Sequence, residues 1–253
     1  MGLVFVSRWL IVASLALAAC AGGGREVQVE VNIPGPDSVD APLAHLTLVA
    51  LPYDRDSVLR ALQGDRQRPP EIVARLDTLY ARFRKPFGAY ANLAYKVQTL
   101  ERTNAFLRLK LDSLPRSAPA YDSLYQQFTR RADSIKATRQ QRDRAQEELA
   151  LARIDLGPTI DSLRRILVRW EDSTYRGYDS ITKKLGDVIG RQPFTDSTRA
   201  DGKVTLRLGP GPWWIYARSW DAWDPHSEWY WNVPVTGERV LLDKNTGRRR
   251  PRY

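Results

Sequence analysis

Residues 54–190 are patterned for helix, and they stand between two segments patterned for strand. The helical segment is rich in Arg, Leu, Gln, Ala and Asp. Between Pro86 and Pro115 its apolar residues recur at coiled-coil spacing. Leu93, Leu100, Leu107 and Leu114 hold one seam position; Tyr90, Val97, Asn104 and Leu111 hold the other. That is the a/d repeat of paired helices, with one polar Asn at an a position. A second run passes from Tyr121 through Phe128, Ile135, Ala145 and Leu149 to Leu156, with a polar stretch at Arg131, Thr138 and Arg142. Gly157-Pro158 is expected to break it. A third run uses Ile160, Leu163, Leu167, Trp170, Ile181 and Leu185. Pro69-Pro70 marks a helix start, where a missing N–H costs little. The link from Pro115 to Pro119 is short enough for an antiparallel hairpin, in which helix 87–114 packs on helix 120–156. The same heptads fit a parallel dimer. A hairpin or a four-helix bundle both satisfy the pattern.

The flanks read differently. In residues 25–53, Val27, Val29, Val31 and Ile33 alternate with polar residues, and a second run covers Leu46 to Leu51. In residues 191–245, strand patterns cover Lys203 to Leu208, Trp213 to Trp220, Glu228 to Val235 and Arg239 to Asp243. Two N-terminal strands cannot make a stable sheet alone. The expected fold is therefore α+β: a small antiparallel β-sandwich built from 25–53 and 191–245, interrupted after its second strand by a long helical insertion, 54–190. An antiparallel hairpin returns its ends to one place, so such an insertion is tolerated. Residues 246–253 are expected to be a disordered basic tail.

Residues 1–19 combine Arg8 with an apolar run from Trp9 to Ala19, too short to span a bilayer and suited to a signal h-region. The run ends in Leu17-Ala18-Ala19-Cys20, which resembles the lipobox of bacterial lipoproteins. The resemblance implies cleavage before Cys20, diacylglycerol on its sulfur and an acyl chain on its amine, enough hydrophobic anchors for stable attachment. Residues 20–24 would be the lipidated tether. Ala21 follows Cys20, which in that family favours the outer membrane, facing the periplasm. Cys20 is the chain's only cysteine, so no internal disulfide can form.

A second resemblance covers the strands. Thr198-Arg199-Ala200-Asp201-Gly202 before Val204, then Gly209-Pro210-Gly211-Pro212 before Trp213, is similar to the turn and strand-opening motifs of the carboxypeptidase regulatory-like family. Pro42 to Leu48 resembles its upstream strand. The resemblance implies a transthyretin-like sandwich.

The net charge of +10 first suggests nucleic acid. An exported chain meets none, and the charge is concentrated in the helices, where 26 basic side chains face 18 acidic ones over 54–190. The expected partners are the membrane, through the lipid, and an envelope protein or polymer. Arg248, Arg249, Arg250 and Arg252 read as a solvated tail or a contact for anionic headgroups. Six of the eight Trp lie between Trp213 and Trp231. Trp213, Trp214, Trp220 and Trp223 are the candidate binding residues, with Trp220 and Trp223 the more exposed, on a loop marked by Asp221 and Asp224-Pro225. Asp221, Asp224, His226 and Glu228 gather carboxylates and an imidazole, yet match no metal-loop signature, and no metal is expected. His45 reads as a half-buried strand residue. No His-Glu-x-x-His, Gly-x-Ser-x-Gly or phosphate-cradling Gly loop occurs. The expected function is a non-catalytic, lipid-anchored binding or scaffold protein with no cofactor besides its covalent lipid. A periplasmic adaptor or holdase with helical arms, and a glycan-binding module, are the alternatives.

Overall fold

The structure, a computed structural model, describes residues 24–35 and 39–253. The signal segment, the lipobox and Cys20 lie outside the described residues. The chain is mixed helix and sheet. Three strands come first: β1 (Arg25–Pro34), β2 (Asp40–Pro42) and β3 (Thr47–Leu51). Four helices follow: α1 (Arg55–Gln63), α2 (Pro70–Asp112), α3 (Tyr121–Thr174) and α4 (Tyr178–Ile189). Six strands complete the chain: β4 (Phe194–Ser197), β5 (Lys203–Leu208), β6 (Trp214–Trp220), β7 (Ser227–Pro234), β8 (Arg239–Leu242) and β9 (Arg248–Pro251).

The strands form two sheets. In one, β1 pairs antiparallel with β5 and β2, and parallel with β8. The parallel pair departs from the all-antiparallel expectation. The other runs β4-β3-β6-β7-β9, antiparallel throughout. Period-two alternation aims Val27, Val29 and Val31 of β1, with Leu206 and Leu208 of β5, at Leu48, Ile215, Ala217 and Trp231 of the second sheet. These side chains make one core, and each is no more than 2% exposed. The Trp231 indole N–H, buried with its ring, donates to the Asp243 carbonyl at 2.9 Å.

The helices leave the second sheet after β3 and return at β4, and those two strands pair with one another from Thr47↔Ser197 to Ala50↔Phe194. The turn before β5 uses Gly202 in the left-handed region, where a Cβ would meet the Val31 carbonyl at 2.9 Å. Thr198, buried ahead of that turn, donates to the Leu43 carbonyl and accepts from the Leu46 amide. His45 is not on a strand. It sits exposed in the turn before β3, with a positive φ.

The second sheet is covered on its other side too. Trp214, Tyr216 and Val49 face Val58 and Leu62 of α1 and Tyr178 and Leu185 of α4. Asp54 caps α1, accepting from the Asp56 amide. Beyond lie α2, of 43 residues, and α3, of 54, paired along their length. Helix α2 starts at Pro70 as the sequence indicates, but it begins well before residue 87 and runs through Pro86. Helix α3 runs through Gly157-Pro158, so the expected break is absent. Proline removes the bond to the carbonyl four residues back. At Pro158 that carbonyl belongs to Ile154, which is 74% exposed. Water can therefore replace the lost bond. The hairpin's base is packed by Leu76, Tyr80 and Phe83 against Leu156, Ile160, Leu163 and Leu167.

Candidate functional site

The C-terminal arginines are not a disordered tail. Edge strand β7 offers unpaired backbone groups and three buried carboxylates stand beside it, and β9 answers both. Its register is Glu228↔Arg250 and Tyr230↔Arg248. Those residues share the sheet face turned to α1. Arg250 Nε donates to Glu228 at 2.8 Å, and Arg218 from β6 donates to the other Glu228 oxygen at 2.7 Å. Arg248 reaches Asp56 at 2.8 Å. The guanidiniums of Arg248 and Arg250 lie 4.7 and 4.0 Å from the Tyr230 ring centre. Arg249 points to the opposite face and bonds Asp221 and Asp224. Gly247 makes the approach feasible, since a Cβ there would strike the Trp231 indole.

Around this strand the helices and sheets are joined. Asp224 also accepts from Arg84 of α2 at 2.8 Å and from Ser227. Burial pushes the Asp224 carboxyl up, but the bonds from Arg84, Ser227 and the His226 amide outweigh it and hold it below the usual carboxylate range. His226 stacks on Tyr80 at 4.2 Å and meets Phe83 edge-on at 4.8 Å. Its Nε2 is buried without a partner. Burial pulls the imidazole down to about 4, with Arg164, Arg252 and Arg84 adding to the effect against Asp224. Burial likewise raises the Tyr80 hydroxyl to about 12; it donates to the Arg252 carbonyl at 2.7 Å. Tyr253 packs on the hairpin's base and donates to Asp77. The four residues Asp221, Asp224, His226 and Glu228 are thus structural: three carboxylates held by arginines, and a histidine seated on a tyrosine.

On the α1 side the arginines line open space. A cleft of about 180 Å³ is walled by Arg55, Arg68, Arg218 and Arg250 with Glu171 and Glu228. It shares Arg68, Tyr175 and Arg250 with a cleft of about 660 Å³ that adds Arg60, Arg248, Asp56 and Trp170. The sequence pattern did not assemble this site, because its residues come from α1, the link between α1 and α2, α3 and three strands. The local signals were Glu228, a carboxylate ahead of the aromatic run Trp229-Tyr230-Trp231, and the arginines Arg248 and Arg250 of the C-terminal run.

The tryptophans divide. Trp213 is buried in the inter-sheet core and Trp214 is half-buried against α1 and α4, so neither is a free platform. Trp229 and Trp231 stack on the core face, with Tyr230 opposite. Trp220 is 69% exposed, with the Arg252 guanidinium 4.1 Å from its ring. Trp223 is half-buried, edge-on to Tyr95 of α2 at 6.2 Å.

Of the seam residues, Val97, Leu107 and Leu111 are buried, and Leu93, Leu100 and Asn104 half-buried, in the α2–α3 pair. Leu114 falls beyond the end of α2. From Tyr95 outward, among the described residues, the ion-pair partner that α2 finds outside itself is on α3, where Arg139 meets Glu101 at 2.6 Å. That distal arm leaves Phe106 56%, Leu109 69% and Tyr125 53% exposed. Among the described residues no helix is long and apolar enough to cross a membrane. No family model, curated protein or solved structure matches the chain.

Proposed function

We propose that the chain is a non-catalytic, lipid-anchored protein of the cell envelope, held by Cys20 at the outer membrane on its periplasmic side. In this reading the two sheets are a split β-sandwich of the carboxypeptidase regulatory-like kind, and the helices are an insertion in it. The shared core and the β3–β4 pairing support that reading. The insertion's arm engages a partner protein or polymer of the envelope. The observation that carries the proposal is the arm. Beyond Tyr95, helix α2 extends about 25 Å at the helical rise of ~1.5 Å per residue. Over that length, among the described residues, α3 is the element it packs against. Two helices alone cannot cover their apolar side chains, and Phe106, Leu109 and Tyr125 are left open.

A photo-crosslinking residue at Phe106 or Leu109, in cells, is expected to give a discrete adduct absent when the same residue replaces Arg207 on the sheet. Adducts from both positions alike, or from neither, would remove the arm from the binding role. In the same cells Cys20→Ser is expected to abolish palmitate incorporation and shift the chain from the membrane fraction. Label that persists in Cys20→Ser would end the anchor proposal. A glycan-binding reading keeps one foothold, the exposed Trp220. Its platform is already covered on one side by Arg252.

A further inference from the structure

The narrower cleft carries more positive charge than its own carboxylates answer. Four guanidiniums face two carboxylates, Glu171 and Glu228. Glu228 is shared by Arg218 and Arg250. Glu171 takes Arg68 through one nitrogen, and the Arg68 Nε is buried with no acceptor. Among the described residues no carboxylate lies within ion-pair distance of Arg55. Its partners are the Tyr230 hydroxyl at 3.1 Å and the rings of Tyr216 and Tyr178. A buried donor without an acceptor is unfavourable, and Arg55, held by aromatic rings and one hydroxyl, has no carboxylate to neutralise its charge. The set therefore lacks an acceptor of two negative charges with several oxygens. A phosphomonoester dianion supplies both, and guanidinium forks match its geometry.

We propose that this cleft binds the phosphomonoester group of a ligand, with Arg68 and Arg55 as its principal donors. The substituent on the ester lies in the adjoining larger cleft, beside Trp170 and Tyr175. The inference is independent of the arm, and its failure leaves the anchored-arm reading standing. A soluble sugar phosphate and a lipid headgroup both offer this chemistry, and the test separates them.

The full chain, purified in neutral detergent, is titrated calorimetrically with inorganic phosphate, glucose 1-phosphate and dihexanoyl phosphatidic acid. Dihexanoyl phosphatidylcholine, a phosphodiester, is the control. All three phosphomonoester-type probes are expected to saturate and the control is not. Tighter binding of glucose 1-phosphate marks a soluble ligand; tighter binding of the lipid marks a headgroup. Arg68→Gln is expected to weaken binding about tenfold or more, whereas Arg207→Gln, on an exposed strand face, leaves it unchanged. Where circular dichroism shows Arg68→Gln to be misfolded, Arg68→Lys replaces it. Lysine keeps the charge, loses the fork, and is expected to weaken binding severalfold. Affinity is also expected to fall as pH drops through about 6, where the dianion protonates. The proposal is overturned if no probe saturates, if phosphatidylcholine binds as well, or if the folded Arg68 variant binds like the wild type.

Discussion

His226 is the residue with the most to lose when the medium is acidified. Its ring is stacked on Tyr80 and its Nε2 has no partner, so protonation would place a cation in a half-buried site beside Arg84, Arg164 and Arg252. Asp224 is the nearby anion that most favours it. The ordinary imidazole value, near 6.5, applies to the unfolded chain, while the folded value is about 4. The unfolded state therefore binds the proton first, and stability falls as pH drops from about 6.5 towards 4. Asp224 works in the same direction but in a lower window. Its folded value is depressed, so its contribution is present above about 4 and lost only below that. The two windows scarcely overlap. His226→Phe keeps an aromatic ring on Tyr80 without the titration. The thermal midpoint of the wild type is expected to drop between about pH 7 and pH 4.5, by the equivalent of roughly 1–2 kcal/mol once solvent screening is allowed for. The midpoint of His226→Phe is expected to change less over that interval. Parallel curves for the two proteins would show that the histidine does not set the dependence.

At the scale of elements, the readable features were those in which a residue's burial depends on its own neighbours in sequence. The alternation of β1 is local, and Val27, Val29 and Val31 point inward as their spacing indicates. The heptad of α2 is local too, and its seam meets α3. The strand β9 was unreadable for the opposite reason. Arg248 to Pro251 has no apolar alternation at all. It is a strand because Asp56, Asp221, Asp224 and Glu228, distant in sequence, need cations at that place. The cleft was hidden likewise, since Arg55, Arg68 and Arg250 come from three separate segments. Pro86 and Pro158 misled because a proline's cost depends on whether water can reach the released carbonyl, which a sequence does not record. Asn104 is the one seam residue at odds with its helix. Its Oδ1 is buried and unpaired beside a groove lined by Ala105, Phe128 and Ile135. Replacing an unsatisfied buried amide by an apolar side chain removes a desolvation penalty of about 1–3 kcal/mol. Asn104→Leu is thus expected to raise the urea midpoint of unfolding by the equivalent of about 1 kcal/mol, with an unchanged slope. A lowered midpoint would mean that the amide has a partner in solution.

In the whole molecule, the C-terminal segment from Arg248 onward connects parts that otherwise touch sparingly. Arg248 binds α1, Arg249 the loop before β7, and Arg250 the strand β7 itself. The Arg252 carbonyl takes the Tyr80 hydroxyl of α2, and Tyr253 enters the hairpin's own core and meets Arg68, whose partner Glu171 belongs to α3. Among the described residues outside this segment, the polar and ring contacts between the hairpin and the sheets narrow to the Arg84–Asp224 pair, the rings around His226 and the Tyr95–Trp223 edge. Each of those rests on the loop that Arg249 and Arg252 help to hold. The sheets have one apolar core and the hairpin another, and cooperativity between two cores requires contacts that neither can lose independently. A chain ending at Gly247 keeps both cores and loses the connection. Differential scanning calorimetry is expected to give one transition for the full chain. For the shortened chain it is expected to give two, the hairpin melting first because two paired helices bury less than two packed sheets. Arg84→Ala in the full chain removes the remaining ion pair but leaves the tail, and is expected to retain the single transition at a lower temperature. If the shortened chain also melts in one transition, the tail adds stability but does not couple the cores, and the Arg84–Asp224 pair with the ring contacts at His226 and Trp223 does so.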